Sequence, residues 1–357
     1  MKTKVGIIFG SRSVEHEISV ITAYQVIEAI DKEKFEPIPM YITKRGKWML
    51  APCDIEGFKK GLSNKEIIFP PIPNQGIIKK GIFNKKIDID IAFPLVHGTY
   101  GEDGTLQGLL ELADIPYVGS SVLGSSLCMD KIASKRIFKS LGFPIVDWLW
   151  FKRGENGVIS EIEKNLSYPV IVKPSNLGSS IGVNTSSNKD ELSFALDVCF
   201  EYSQKAIVEK ALSSFSEINC AILGNNDEVI PSLCEEVMKE DKFLTYSEKY
   251  RKGKGMKAVR RIIPAEIGDE LTKKIQNMAT EAFKACNLSG VARIDFLLKD
   301  NEIYLNEINT IPGSLSFYLF KPLGIEFKEL ITRLIELGFE DYSEKKKTKF
   351  SYELSIF

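Results

Sequence analysis

The chain has 357 residues, of which 44% are hydrophobic and 27% charged, and its 47 basic and 48 acidic side chains leave a formal net charge of −1. That balance excludes a protein that binds nucleic acid or a membrane surface through a bulk basic field, and it excludes wholesale disorder. No run of about 18 apolar residues is present, so no membrane span is expected.

The chain opens on Lys4–Phe9, a short apolar run that is too brief for a signal-peptide core and reads as a strand ending at Gly10. A helical pattern follows from Glu17 to Ile30, then a second strand over Phe35–Ile42. Pro52–Lys86 is rich in Pro, Gly, Asn and Lys and reads as excursions and hairpins. Apolar residues at Ile87, Ile89, Ile91 and Phe93 predict a third strand over Ile87–Val96, within a mostly parallel sheet. Such sheets carry ligand groups on loops at their carboxyl ends.

A second unit follows. Its pattern predicts one helix over Cys128–Leu141, ended by Gly142 and Pro144, and strands over Pro169–Lys173 and Ala206–Glu209. A third unit holds a strand over Glu217–Leu223, a basic stretch from Lys249 to Arg261, a helix over Ile267–Cys286 and a hairpin over Val291–Asn309. The expected domains are therefore 1–117, 118–212 and 213–357. Six cysteines lack any C-x-x-C spacing and read as buried reduced thiols, which points to a cytoplasmic protein.

The hairpin is the most informative segment. With its turn centred on Asn301, Asp295 pairs with Glu307 and Arg293 with Asn309, so all four share one face. Two carboxylates and an amide oxygen suit Mg²⁺ whose octahedron is completed by phosphate oxygens, and the arginine suits a phosphoryl or acyl-phosphate oxygen. A surface hairpin with ordinary ion pairs has the same pattern. Lys173 precedes Pro174–Gly182, a Gly/Ser loop able to nest a polyphosphate, although it is no P-loop and most such loops are only loops. Glu209-Lys210-Ala-Leu212 can show backbone groups to a purine or be a plain strand end. His97 sits at the lip of a strand-to-helix turn, where a solvated or core histidine is the ordinary case. Glu15 sits where dipoles favour an acid in any event. Gly313 can bring a backbone N–H to a reacting centre or simply make a turn.

Taken in order, Gly10–Ser19, His97–Gly108, Met129-Asp130-Lys131, Lys173–Gly182, Glu209-Lys210, Tyr246–Tyr250, Arg293–Asp295 and Asn306–Gly313 resemble the D-alanine–D-alanine ligases of the ATP-grasp superfamily. The resemblance covers Val5 to about Leu337. It implies an α/β ATP-grasp fold, with an N-terminal parallel-sheet domain, a small central domain and a C-terminal antiparallel-sheet domain. It also implies ATP and two Mg²⁺ ions, or Mn²⁺, on Asp295, Glu307 and Asn309. Lys131, Lys173 and Ser180 would hold phosphates, Glu209, Lys210 and Leu212 would line adenine, and Glu217 would meet the ribose. Glu15 would receive the first D-alanine's ammonium. Ser179 and Tyr250 would tie that carboxylate to a closing loop bearing Lys249. Arg293 and the Gly313 N–H would stabilise the tetrahedral oxyanion, with His97 close by. A homodimer without nucleic-acid or membrane partners is implied as well.

One stretch departs from the pattern. The family commonly has Thr and Ser two and five residues after the Pro-Gly pair, the serine holding the second substrate's carboxylate. Here these are Leu315 and Tyr318, so the Tyr318 hydroxyl or the Leu319 N–H is expected to take that task. Tyr250 favours an amine nucleophile. D-Alanine is the expected second substrate, with D-serine or a non-catalytic nucleotide-binding module as alternatives.

Overall fold

The structure is a computed structural model and describes residues 1–61, 65–81, 83–238 and 260–349. Its first sheet contains β1 (Thr3–Gly10), β2 (Phe35–Ile42), β3 (Trp48–Leu50), β4 (Lys65–Ile68), β5 (Ile77–Lys79), β6 (Lys85–Ile87) and β7 (Ile91–Pro94), in the order β6-β5-β4-β3-β2-β1-β7. Only β1–β2 and β1–β7 are parallel, so the sheet is mixed rather than mostly parallel. Helices α1 (His16–Ala29), α2 (Ile55–Lys59) and α3 (Thr105–Leu112) accompany it.

The strand expected over Ile87–Val96 is two elements, β6 and β7, at opposite ends of this order. Seven strands laid flat would hold their outer edges about 29 Å apart, whereas the link from Ile87 to Ile91 reaches at most about 14 Å. The sheet therefore rolls. Asp90 makes the break by bonding Lys4 twice: its N–H donates to the Lys4 carbonyl at 2.9 Å and its carboxylate accepts the Lys4 N–H at 2.7 Å. Ile89 then closes over β1 at Gly6, where an added Cβ would come within 2.9 Å of it.

The second sheet is antiparallel, ordered β10-β9-β11-β8, from β8 (Trp148–Lys152), β9 (Val170–Pro174), β10 (Asn184–Ser186) and β11 (Lys205–Lys210). It is backed by α6 (Val158–Asn165) and α7 (Lys189–Tyr202), whose Ile162, Leu192 and Cys199 pack on Val170, Val172 and Val208. Ahead of it, the expected single helix over Cys128–Leu141 is broken into α4 (Val122–Met129) and α5 (Lys131–Ser140). Asp130 causes the break. Its extended backbone stops α4, and its Oδ1 accepts the Ile132 and Ala133 N–H groups at 2.9 and 3.1 Å, capping α5.

The third sheet, ordered β14-β13-β12-β15-β16, is also antiparallel. It comprises β12 (Ser216–Gly224), β13 (Val229–Met238), β14 (Arg260–Ile262), β15 (Gly290–Lys299) and β16 (Glu302–Asn309), followed by the short α9 (Phe317–Phe320). One face meets α8 (Asp269–Ala285) through Ile275, Ala279 and Phe283 in a buried apolar cluster with Ile218, Ile294 and Ile308. The last helix among the described residues, α10 (Phe327–Lys346), packs Leu330, Leu334 and Ile335 into the cluster formed by Val5, Ile7 and Phe9 of β1. The chain thus returns to its first sheet. The basic tail residues Lys345 and Lys346 pair there with Glu111 and Asp114.

Candidate active site

The third sheet has an apolar face and a polar one. Ile308, Ile294, Cys220 and Cys234 lie opposite one another across four strands. One residue further along, Glu307, Asp295, Asn219 and Glu235 form a second row, and because side chains alternate this row faces away from the core. Arg293 and Asn309 pair beside it. The expected hairpin register holds.

A bulge makes it hold. Near the turn the pairing runs Lys299 to Glu302 and Phe296 to Leu305, centred between Asp300 and Asn301, both in the left-handed region that such a two-residue turn requires. Continued unbroken, that ladder would set Asp295 against Asn306. The register instead shifts at Phe296/Asp295, so Asn306 is the extra residue and Glu307 faces Asp295. Asn306 adds its own Oδ1, 3.5 Å from Lys173 Nζ.

Arg293 grips Asp295 with two bonds, Nε at 2.7 Å and Nη2 at 2.8 Å, and Asn309 Nδ2 donates to Asp295 at 2.9 Å. Burial nevertheless pushes the Asp295 carboxyl up to about 6, with Glu307 adding to the effect against the opposing Arg293 charge. Burial also raises Glu307, but Lys131 and Lys173 outweigh it and hold this carboxyl below its ordinary range. Among the described residues no three His, Cys, Asp or Glu side chains cluster tightly enough to hold a metal unaided. Two carboxylates and an amide suit a hard cation that takes its remaining oxygens from a phosphate.

Lys131, placed at the start of α5 by the Asp130 cap, reaches the Leu177 carbonyl at 2.8 Å and Glu307 at 3.4 Å. Lys173, on β9, meets Glu209 of β11 at 2.7 Å. Glu209 is buried and its other oxygen lies 3.1 Å from Lys135, one turn after Lys131 and itself only 1% exposed. Burial would raise Glu209, but the two ammonium groups prevail and hold it at about 2. Lys210 continues β11, with its N–H on the Asp147 carbonyl, and Leu212 follows half-buried. Glu217 lies on β12, two residues before Asn219 on the same strand.

The Gly/Ser loop after β9 leans onto the first sheet's loop. Ser179 donates its hydroxyl to Glu15, while Ser180 is exposed. An added Cβ at Gly178 or Gly98 would lie 3.0 or 2.5 Å from Glu15 Oε2, so both glycines are there for contact. Burial raises the Glu15 carboxyl in spite of the Ser179 bond and the Lys131 charge. Glu15, Lys131, Ser179, Glu307 and Asn309 line a single narrow cleft of about 50 Å³. A larger groove of about 660 Å³ between α6 and α7 contains none of the residues singled out from sequence.

His97 is buried, with Nε2 3.1 Å from Thr22 Oγ1 and a further bond to the Ile311 backbone. Desolvation lowers it to about 4, so it is neutral and braces the cleft wall. Glu102 spans the same wall by accepting the Gly98 and Ile311 N–H groups at 2.7 and 3.0 Å. Gly313 has open space where a Cβ would sit. The next three residues, Ser314, Leu315 and Ser316, are all left-handed at φ 50°, 52° and 51°, and the Ser314 hydroxyl donates to Gln25 of α1 at 2.8 Å. Tyr318 donates to Glu235 at 3.0 Å, and Leu319 is fully buried in the core. Lys249 and Tyr250 lie outside the described residues. Lys135, Glu102 and Glu235 were not singled out from sequence. Only Lys135 left a usable signal there, its spacing of four from Lys131.

The family descriptions "D-ala D-ala ligase N-terminus" and "D-ala D-ala ligase C-terminus" match residues 4–120 and 137–336. The chain belongs to the D-alanine–D-alanine ligase family. It is 43% identical to the D-alanine–D-alanine ligase of Chloroherpeton thalassium over 98% of this chain and 99% of that one. The VanG D-Ala:D-Ser ligase of Enterococcus faecalis superposes with a TM-score of 0.83 at 36% identity, over 95% of this chain and 100% of that one. The Bacillus anthracis D-alanine–D-alanine ligase complexed with ATP does so with a TM-score of 0.73 at 27% identity, over 96% and 99%. The fold is the ATP-grasp fold of these ligases, and the chain is an enzyme of that class. No helix among the described residues is long and apolar enough to cross a membrane.

Proposed function

We infer that the chain joins two D-alanine molecules at the expense of ATP, through a D-alanyl phosphate, and so supplies the dipeptide for peptidoglycan synthesis. The observation that carries this reading is the single cleft in which Glu15 and Ser179 meet Glu307 and Asn309, the strand residues paired with Asp295 and Arg293 on the third sheet. We take the chain's three sheets, which span residues 3–94, 148–210 and 216–309, as the centres of three domains over 1–117, 118–212 and 213–357. Glu15 receives the first substrate's ammonium. That substrate's carboxylate oxygen attacks the γ-phosphorus, the bond to the β-phosphate oxygen breaks and ADP leaves.

Two anions must approach for this step, and Lys131 and Lys173 supply positive charge on the phosphate side. Asp295 and Glu307 oppose each other across two strands, and the Asp295 carboxyl, raised first by burial and further by Glu307, fits a dication. Bound by Asp295, Glu307 and Asn309, two Mg²⁺ ions, or Mn²⁺, would neutralise phosphate charge. The loop bearing Ser179 keeps water from the acyl phosphate. The second amine then attacks the acyl carbon and phosphate departs. Arg293 and the Gly313 N–H carry the charge that develops on the carbonyl oxygen. Glu209, Lys210 and Leu212 border the purine, Glu217 the ribose and Ser180 the phosphates.

Purified protein given ATP, Mg²⁺ and D-alanine should release ADP and dipeptide in equal amounts. ADP without dipeptide would overturn the reading. The departures at Leu315 and Tyr318, together with the likeness to a D-Ala:D-Ser ligase, favour D-serine as a second reading for the acceptor alone. A panel of acceptors with D-serine used ahead of D-alanine would establish it. We place the protein in the cytoplasm as a homodimer, and sedimentation at the single-chain mass of 40.1 kDa would overturn the dimer.

A further inference from the structure

We propose that Arg261 is the receptor for the second substrate's carboxylate, held in position by Tyr318 and Glu235. The proposal rests on the ligase reading and concerns the end of the cleft where the sequence departs from the family pattern.

At that end the family's serine hydroxyl is replaced by Tyr318, and the Tyr318 hydroxyl is already engaged. It donates to Glu235 Oε1 at 3.0 Å, and Asn219 Nδ2 donates to the same oxygen at 3.0 Å. A hydroxyl committed to a buried carboxylate offers no proton to a second one. The anionic Glu235 would moreover repel an incoming carboxylate unless a cation stands between them. The Leu319 N–H, the other candidate, is a single neutral donor and brings no positive charge to a carboxylate beside Glu235.

Two guanidinium groups stand on the polar face of the third sheet, Arg293 on β15 and Arg261 on β14. Arg293 is committed: its Nε and Nη2 are both spent on Asp295, and its remaining Nη1 is left for the oxyanion. Arg261, on β14, is not. Its guanidinium carbon lies 4.5 Å from the centre of the Tyr318 ring and its Nε 3.6 Å from Glu235 Oε2, with 42% of the side chain exposed. Among the described residues its two terminal nitrogens have no hydrogen-bond partner. The aromatic face fixes the plane of the fork and Glu235 fixes its inner edge. The outer edge is then presented as a ready-made pair of donors for a carboxylate. Glu235 and Tyr318 act here as positioning residues, through Arg261.

D-Alaninamide tests this, because it keeps the attacking amine and lacks the carboxylate. With both acceptors competing in one reaction, mass spectrometry reads the ratio of D-alanyl-D-alanine to D-alanyl-D-alaninamide. In Arg261→Ala and Arg261→Met that ratio should fall by about 10- to 100-fold, the range for losing hydrogen bonds to a charged group. The KM values for ATP and for the first D-alanine should stay within about twofold, and Arg261→Lys should recover part of the ratio. Tyr318→Phe, which keeps the ring, should retain most of it. An unchanged ratio in both Arg261→Ala and Arg261→Met would overturn the proposal. Absence of any dipeptide from the wild-type protein would instead overturn the ligase reading itself.

Discussion

Two buried carboxylates of the candidate site face opposite charge balances. Glu209 is clasped between Lys135 and Lys173 and sits at about 2, while Asp295 has one arginine, has Glu307 as its neighbour and sits at about 6. The first has all the positive charge it needs from its own chain. The second remains short of it. A satisfied buried pair serves as framework, whereas an undercompensated one suits the cation proposed to arrive with the substrate.

If that contrast is right, the two residues should fail differently. Asp295→Asn should lower turnover by at least about 10³-fold, roughly 4 kcal/mol of transition-state stabilisation. It should also abolish any rise in melting temperature produced by Mg²⁺ with a non-hydrolysable nucleotide. A variant that still turns over within tenfold of the wild type would erase the distinction. Glu209→Gln should instead act on stability, by about 3–5 kcal/mol, because it strands two lysines, one of them fully buried. Denaturant unfolding checks this. The double variant Glu209→Gln/Lys135→Met should recover part of the loss, and no recovery would mean that the clasp is not the cause.

The pH dependence adds a third contrast, with a group that is buried and uncharged. His97 sits at about 4 against an ordinary 6.5, so the unfolded chain binds its proton first as pH falls. Stability should therefore be full above pH 6.5 and decline by about 3 kcal/mol toward pH 4. His97→Gln should flatten that decline in acid titrations followed by circular dichroism, and an unchanged slope would reject the assignment. The smallest effect belongs to Asp130→Ala. Loss of the cap should cost about 1 kcal/mol and raise the KM for ATP a few-fold by loosening Lys131, while a KM equal to wild type would separate the cap from the site.

How far these features could be read beforehand depended on whether one strand or several had to be known. The face shared by Arg293, Asp295, Glu307 and Asn309 follows from alternation and one turn, yet the register rests on a bulge at Asn306 that no local pattern announced. The break between α4 and α5 was marked by Asp130, a strong helix-capping residue, and was obscured by apolar residues continuing on both sides. The run through Ile87 and Ile91 looked continuous because its apolar spacing is unbroken, and only the pairing of Asp90 with Lys4 divides it. Glu235 was beyond reach. It matters because β13 lies beside β12 in one register and because Tyr318 arrives from 83 residues away.

Helix α1 has a consequence of its own. Glu15 stands at its first end and Gln25, which holds the turn after Gly313, ten residues on, a separation of about 15 Å along a rod that rises 1.5 Å per residue. A rod of this kind resists both stretching and shortening. The gap between Glu15, proposed to seat the first amino acid, and the turn after Gly313, proposed to border the second, is therefore gauged by one stiff element. Inserting or removing a residue within it would rotate as well as shift one end against the other, so its length is as much a part of the chemistry as any side chain.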